Sequence, residues 1–184
     1  MGTLRPPIPA KLFIGMIARD PERFEECSRH LSAEYGPVDM RSGVLQWKHS
    51  DYYGEEMGPD LQRMFLFFDR LIDPGDLSLI KLHTIKLEAL FSLPGPSGPR
   101  RSVNIDPGYL TEAKIVLATT KDFPHRIYLG NGIYAEVELH YSRTGRDFVP
   151  VEHTYPDFRT ETSRELFKEA RERLRSVLRR RGRS

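Results

Sequence analysis

The chain has 184 residues, 39% hydrophobic and 29% charged, with a formal net charge of +2. That length suits one domain with its own core. A single cysteine, Cys27, excludes an internal disulfide or a four-cysteine zinc site, and no run of 18 apolar residues is present to span a membrane.

The charge is unevenly placed. Residues 164–184 hold eight Arg and one Lys against three Glu, a net of +6, which leaves about −4 on residues 1–163. Asn and Gln occur only twice each and Arg is abundant, a composition that fits a thermophile, although a GC-rich genome also raises Arg. No secretory segment follows Met1, so the expected address is the cytoplasm and no membrane partner is expected.

Residues 1–10 carry three prolines and no periodicity and read as a flexible arm. A single α+β domain is expected over 11–178, with a mobile loop at 93–101 and a basic tail at 179–184. The apolar run Lys11–Ala18 predicts a buried strand. Asp20-Pro21 then opens a helix, because Asp is a good N-cap and proline at the first helical position lacks only an orphan N–H. Phe24, Cys27, Leu31 and Tyr35 recur on one side of it, which makes Cys27 a buried, inert thiol, and Gly36-Pro37 stops it.

Val38–Trp47 predicts a second strand with a bulge at Gly43. Residues 51–59 form a loop holding two tyrosines and three acids. Arg63–Ile72 is apolar enough to be a central strand. Pro74-Gly75-Asp76 opens a second helix whose buried stripe is Leu77, Ile80, Thr84, Leu87 and Phe91. Lys81 and Glu88 lie on a neighbouring stripe and are expected to form a surface pair.

Asn104-Ile105-Asp106-Pro107-Gly108-Tyr109 has turn composition, with Asn104 and Asp106 able to bond their own backbone. Lys114–Thr120 is a strand leading to a hairpin around Gly130-Asn131-Gly132. A three-residue loop with Gly132 left-handed pairs Leu129 with Ile133 and Ile127 with Ala135. One face then carries Ile127, Leu129, Ile133, Ala135, Val137 and Leu139. The other carries Arg126, Tyr128, Tyr134, Glu136, Glu138 and His140, with Arg126 facing Glu136 and Tyr128 facing Tyr134. The loop 142–147 and the cluster 153–159 follow. Thr162-x-x-Glu165 reads as the capping box of a last amphipathic helix.

The resulting order is β-α-β-β-α-β-β-β-α. Its first six elements match a ferredoxin-like βαββαβ core, to which the hairpin and the C-terminal helix are added.

No Walker loop, dinucleotide fingerprint, H-E-x-x-H or G-x-S-x-G motif is present, and no RNA-recognition aromatic signature lies on the strands. What remains is a set of polar and aromatic residues at loops and on the hairpin face. Asp106, Glu136 and His140 are the candidates for acid–base or metal chemistry; Glu138 and His140, two apart on a strand, share a face. Asp51, Tyr53, Asn104, Tyr109, Lys114, Lys121, Arg126, Tyr155, Asp157 and Arg159 are the candidates for ligand binding. Lys121 and Arg126 suit a phosphate or carboxylate, and Tyr109 or Tyr155 suits stacking on a ring.

Residues 52–58, 104–110, 114–122, 125–136 (His-Arg-Ile-Tyr-Leu-Gly-Asn-Gly-Ile-Tyr-Ala-Glu) and 154–159 resemble those of a prokaryotic family of unknown function. The resemblance spans about 10–180. Its members often carry the label "GTP-binding protein", which implies a nucleotide; the resemblance names no reaction, cofactor or site.

The expectation is therefore a polar-aromatic cleft for a small phosphorylated or nucleotide ligand, with metal assistance open. The alternatives are an RNA-binding or ribonucleoprotein-associated module that uses the Arg-rich C-terminal helix, and a structural or interaction protein.

Overall fold

The structure is a computed structural model that describes residues 2–47, 54–95 and 98–182, without the side chains of residues 54 and 55. Strand β1 (Ala10–Ala18) is buried along its whole length, as its unbroken apolar run dictates. Helix α1 (Pro21–Tyr35) begins on Asp20 with Pro21 in its first turn. It buries Phe24, Cys27 and Leu31. Strands β2 (Val38–Arg41) and β3 (Leu45–Gln46) replace the single strand expected over 38–47, because the chain leaves the ladder around Gly43. A one-turn helix α2 (Gly54–Met57) precedes the long strand β4 (Gln62–Ile72). A 3₁₀ turn at Pro74–Asp76 leads into helix α3 (Leu77–Leu90).

The remaining elements are strands β5 (Val103–Leu110), β6 (Lys114–Thr119), β7 (Ile127–Gly130), β8 (Ile133–Ser142) and β9 (Asp147–Pro150), then the short helix α4 (Pro156–Arg159) and helix α5 (Glu161–Arg181). All strand pairs are antiparallel in one sheet, in the order β2-β4-β1-β5-β6-β8-β7, with β3 beside β4 and β9 beside β8.

Two cores form on the two sides of the sheet. Alternate residues of β1 divide between them: Leu12, Ile14 and Met16 join Phe24, Leu31, Ile80 and Leu87 under α1 and α3. Phe13 joins Phe65, Phe67, Phe158 and Phe167 under α4 and α5.

The segment 104–109 is a strand and not a turn. Its Asn, Asp, Pro and Gly favour turns locally, but each residue from Val103 to Leu110 pairs with β1, whose second edge would otherwise be bare. Tertiary pairing therefore overrides local preference. The strand beside β1 is thus 103–110, and Lys114–Thr119 extends the sheet beyond it.

The hairpin register holds at Ile127–Ala135 and Tyr128–Tyr134, and Gly132 has φ +74°. A bulge puts Gly130, not Leu129, opposite Ile133. A second irregularity lies farther along β8, where Val116 pairs Val137 and Ile115 pairs Leu139, leaving Glu138 extra. An extra residue reverses the facing of everything after it. Ile133 and Ala135 therefore pack with Leu77 and Val116, whereas Leu139 packs with Phe148 in the other core. The expected single apolar face does not exist. β7 is an edge strand, and Ile127 is 71% exposed. On the polar face Glu136 and Glu138 are buried, whereas Tyr128 and His140 are exposed.

Helix α5 is capped by Thr160, whose hydroxyl accepts from the Ser163 amide at 3.2 Å, and not by Thr162. It continues to Arg181, through the first residues of the expected tail.

Candidate functional site

The site arises where the sheet splits. β6 pairs with β5 only at Gly108–Leu110, so the ladder stops at Pro107, which has no N–H to offer it. Beyond that point β5 and β6 diverge, and a cleft of about 490 Å³ opens between them. One wall is the first half of β5 with Asn104 and Asp106. The other is the end of β6 and the residues after it, Leu117–Lys121 and Phe123. Lys81, Ile85 and Glu88 reach in from α3, while Tyr155, Asp157 and Phe158 reach in from around α4. Ile17, Trp47, Arg63 and Arg101 complete the lining.

Splitting a sheet exposes backbone groups that must be satisfied. Here two α3 side chains replace the missing strand. Glu88 Oε1 accepts from the Ile105 N–H at 2.6 Å, and Lys81 Nζ donates to the Ile105 carbonyl at 2.9 Å. Lys81 also donates to Asp106 Oδ1 at 2.8 Å. Asn104 Nδ2 donates to Asp106 Oδ2, and Arg101 donates to Asn104 Oδ1 at 2.7 Å. Lys81 is therefore buried and Glu88 half-buried, not an open surface pair; seven residues apart, they fall on one face of α3 and aim at one strand edge.

Arg63 crosses the opposite end. It pairs with Ile17 on β1, which pairs in turn with Asn104, so the three form one row. Its guanidinium lies over Phe65 at 4.5 Å, with Trp47 at 5.7 Å and Phe158 at 5.8 Å. Gly15 makes the space, since a Cβ there would stand 2.6 Å from Arg63 Nη2. Arg63 Nη2 is 3.1 Å from Asp157 Oδ2. Even so, neither oxygen of Asp157 accepts a hydrogen bond and Arg63 Nε donates none, although all are buried.

Residues 8–174 match a family described as Domain of unknown function (DUF4416). The chain belongs to this family. No curated protein and no solved structure matches it. The chemistry of this DUF4416 cleft is accordingly read from its own residues.

The cleft brings together Asn104, Asp106, Lys121, Tyr155 and Asp157 of the residues expected from the sequence. Arg126 and Glu136 stand behind its wall. Arg126 donates to Glu136 at 3.0 Å, to the Lys121 carbonyl at 2.9 Å and to the Tyr155 hydroxyl at 3.0 Å, while His125 meets Glu136 at 2.9 Å. Arg126 is therefore a strut that fixes Tyr155, not an anion ligand, and Glu136 is its counter-ion.

Other candidates lie elsewhere. Exposed His140 pairs with Lys114 and Val149, so the bulge separates it from buried Glu138. Tyr109 packs in the cluster under α3. Arg159 holds the carbonyls of Val151, Glu152 and Thr154 and pins that turn. Asp51 and Tyr53 lie outside the described residues. Among the described residues, no group of three or more His, Cys, Asp or Glu stands placed to hold a metal ion.

Burial raises the Glu88 carboxyl above its usual range, against the pull of Lys81. Burial pushes Asp106 up as well, but there the Lys81 charge and hydrogen bond, with help from Arg63 and Asn104, win and hold it low. Two carboxyls on one ammonium are thus driven apart. Behind them Glu138 is fully buried and raised well above the usual range, by burial first and then by Glu136 and Asp157. Its Oε2 accepts from the Tyr155 N–H at 2.9 Å and its Oε1 has no partner.

Arg63 and Trp47 were not singled out by the sequence as site residues, and Lys81 and Glu88 only as a surface pair. The available signals were a charge at the start of an apolar strand, the lone tryptophan, and opposite charges two helical turns apart.

Proposed function

We propose that the cleft binds a small phosphorylated or nucleotide ligand. The observation that carries the reading is the composition of one cavity: Arg63, Arg101 and Lys121 share about 490 Å³ with Trp47, Phe123, Tyr155 and Phe158. That volume falls in the range of small-molecule sites, where aromatic walls supply contact area and a few charges fix orientation. The nucleotide part agrees with the label carried by members of the family the sequence resembles. No metal is needed for this reading. A cytoplasmic address is part of the same proposal, as is a ferredoxin-like core, which the antiparallel order β2-β4-β1-β5 supports. No helix among the described residues is long and apolar enough to cross a membrane.

The alternative, RNA binding through α5, has less support because Arg171, Arg173 and Arg175 of that helix are engaged. Arg171 lies 3.5 Å from the Tyr141 ring centroid, Arg173 bonds Glu169 and Arg175 bonds Glu112.

A thermal-shift panel of nucleotides, phosphosugars, divalent metals and short RNA at two salt concentrations tests the proposal. A cleft ligand at about 100 times its Kd adds roughly 2.7 kcal/mol, or about 5 °C or more for a chain of this size. The shift should survive moderate salt. A shift with RNA alone that vanishes as salt rises, or no shift with any ligand, overturns it.

A further inference from the structure

The two ends of the cleft differ, and the difference narrows the ligand. One end, at Lys81 and Asp106, is already satisfied by the split strand. The other end is not. There Arg63 is 4% exposed and Asp157 6%, yet Arg63 Nε and both Asp157 oxygens lack hydrogen-bond partners. Orphaned buried polar groups are costly and call for an explanation. The two residues offer a donor next to acceptors, and both line the cleft. Trp47 and Phe158 flank them with aromatic surface.

We propose that this end receives a planar heteroaromatic ring whose edge carries a hydrogen-bond acceptor beside a donor, and that the ring is a nucleobase. Arg63 donates to its acceptor, Asp157 accepts from its N–H or amino group, and Trp47 or Phe158 covers its face. Stacking tolerates every base because each has a π-face, and a site built for a ligand donor penalises analogues that lack it. The nucleobase is chosen over other such rings because Arg101 and Lys121 elsewhere in the lining suit the phosphate that a nucleotide brings with it. The inference rests on the cleft reading above and deepens it: a phosphosugar satisfies that reading but leaves Arg63 Nε and the Asp157 oxygens without hydrogen-bond partners.

Trp47 is the only tryptophan in the chain, so its fluorescence reports on this end alone. The wild-type protein is titrated separately with the four ribonucleoside monophosphates, ribose 5-phosphate and pyrophosphate, followed by fluorescence and calorimetry. At least one nucleotide is expected to change the Trp47 signal saturably and to bind at least tenfold more tightly than ribose 5-phosphate. Asp157→Asn should shrink that ratio. Equal affinity for ribose 5-phosphate and every nucleotide, with no change at Trp47, overturns the ring assignment and leaves the anion cleft standing. No binding of any of the six overturns both. The wild-type ratio decides even if the variant does not fold.

Discussion

Lys81 and Asp106 meet 2.8 Å apart at the point where β6 leaves β5. The ammonium also satisfies the Ile105 carbonyl and stands 3.9 Å from Glu88. One side chain thus closes a strand edge and neutralises carboxylates on two elements. Lys81→Met keeps most of the apolar stem but leaves half-buried Asp106 without the ammonium it bonds and Glu88 with Arg101 alone, a loss of about 2 kcal/mol at pH 7. The pH dependence fixes the cause. Asp106 is held below its unfolded value, so the stability it contributes is present above the ordinary carboxylate range and lost as pH falls through its folded value. In Lys81→Met the burial that pushes Asp106 up loses its largest offset, so this carboxyl takes a proton as pH falls and the destabilisation should shrink toward pH 4, while Asp106→Asn in the same chain should recover part of it at pH 7. Urea unfolding at pH 4.5 and 7 checks this; a loss independent of pH would mean that packing, not charge, is what Lys81 supplies.

Glu138 gives the opposite sign. Its folded-state value is raised, so its neutral form costs nothing below the unfolded carboxylate value and stability falls as pH rises toward the folded value. Glu138→Gln keeps the size and an acceptor for the Tyr155 N–H but removes the ionisation. The variant should match wild type near pH 4.5 and exceed it at pH 8, by a few degrees in Tm. Parallel Tm profiles across that range would show that Glu138 carries no such proton.

Local signals decided how much of this was legible beforehand. β1, α1 and β4 announced themselves through apolar runs and the Asp20-Pro21 start, and the Tyr128–Tyr134 pair followed from the turn residues. β5 was hidden because Asn104, Asp106, Pro107 and Gly108 have turn chemistry, and only their pairing with β1 makes them a strand. The extra residue at Glu138 is a tertiary event with no local signature, and it separates this buried carboxylate from His140. Asn104, Asp106, Lys121, Tyr155 and Asp157 could be named as polar residues near loops. Their convergence, and the arrival of Arg63 and Trp47 from across the sheet, depends on where β5 and β6 part.

Cys27 is fully buried, and its thiol is pushed up to about 12, by burial first and further by Glu26 and Glu88, against Arg23. The thiolate is the reactive form. A thiol reagent at pH 8 should therefore modify the folded protein only as fast as it unfolds, while the urea-denatured chain reacts at once with one equivalent. Modification of the native protein within seconds would show that α1 opens locally.

Gly108 tests the packing that holds the split sheet together. A Cβ at this position would lie 2.3 Å from Phe13 Cζ and 2.4 Å from the Val116 carbonyl oxygen. Phe13 has little room to retreat, because Phe167 and Phe158 meet it edge-on at 5.1 and 6.2 Å. The Val116 carbonyl is backbone of β6, in the short stretch where β6 still pairs with β5. Gly108→Ala must therefore push β6 away or distort the phenylalanine cluster, at a cost of about 1–3 kcal/mol. The urea midpoint should fall with the slope unchanged. Because the last paired residues of β5 also set the angle at which the cleft opens, nucleotide affinity should weaken in the same variant at temperatures where it remains folded. A variant with wild-type midpoint and affinity would mean that neither the Phe13 contact nor the β5–β6 junction is as tight as these distances require.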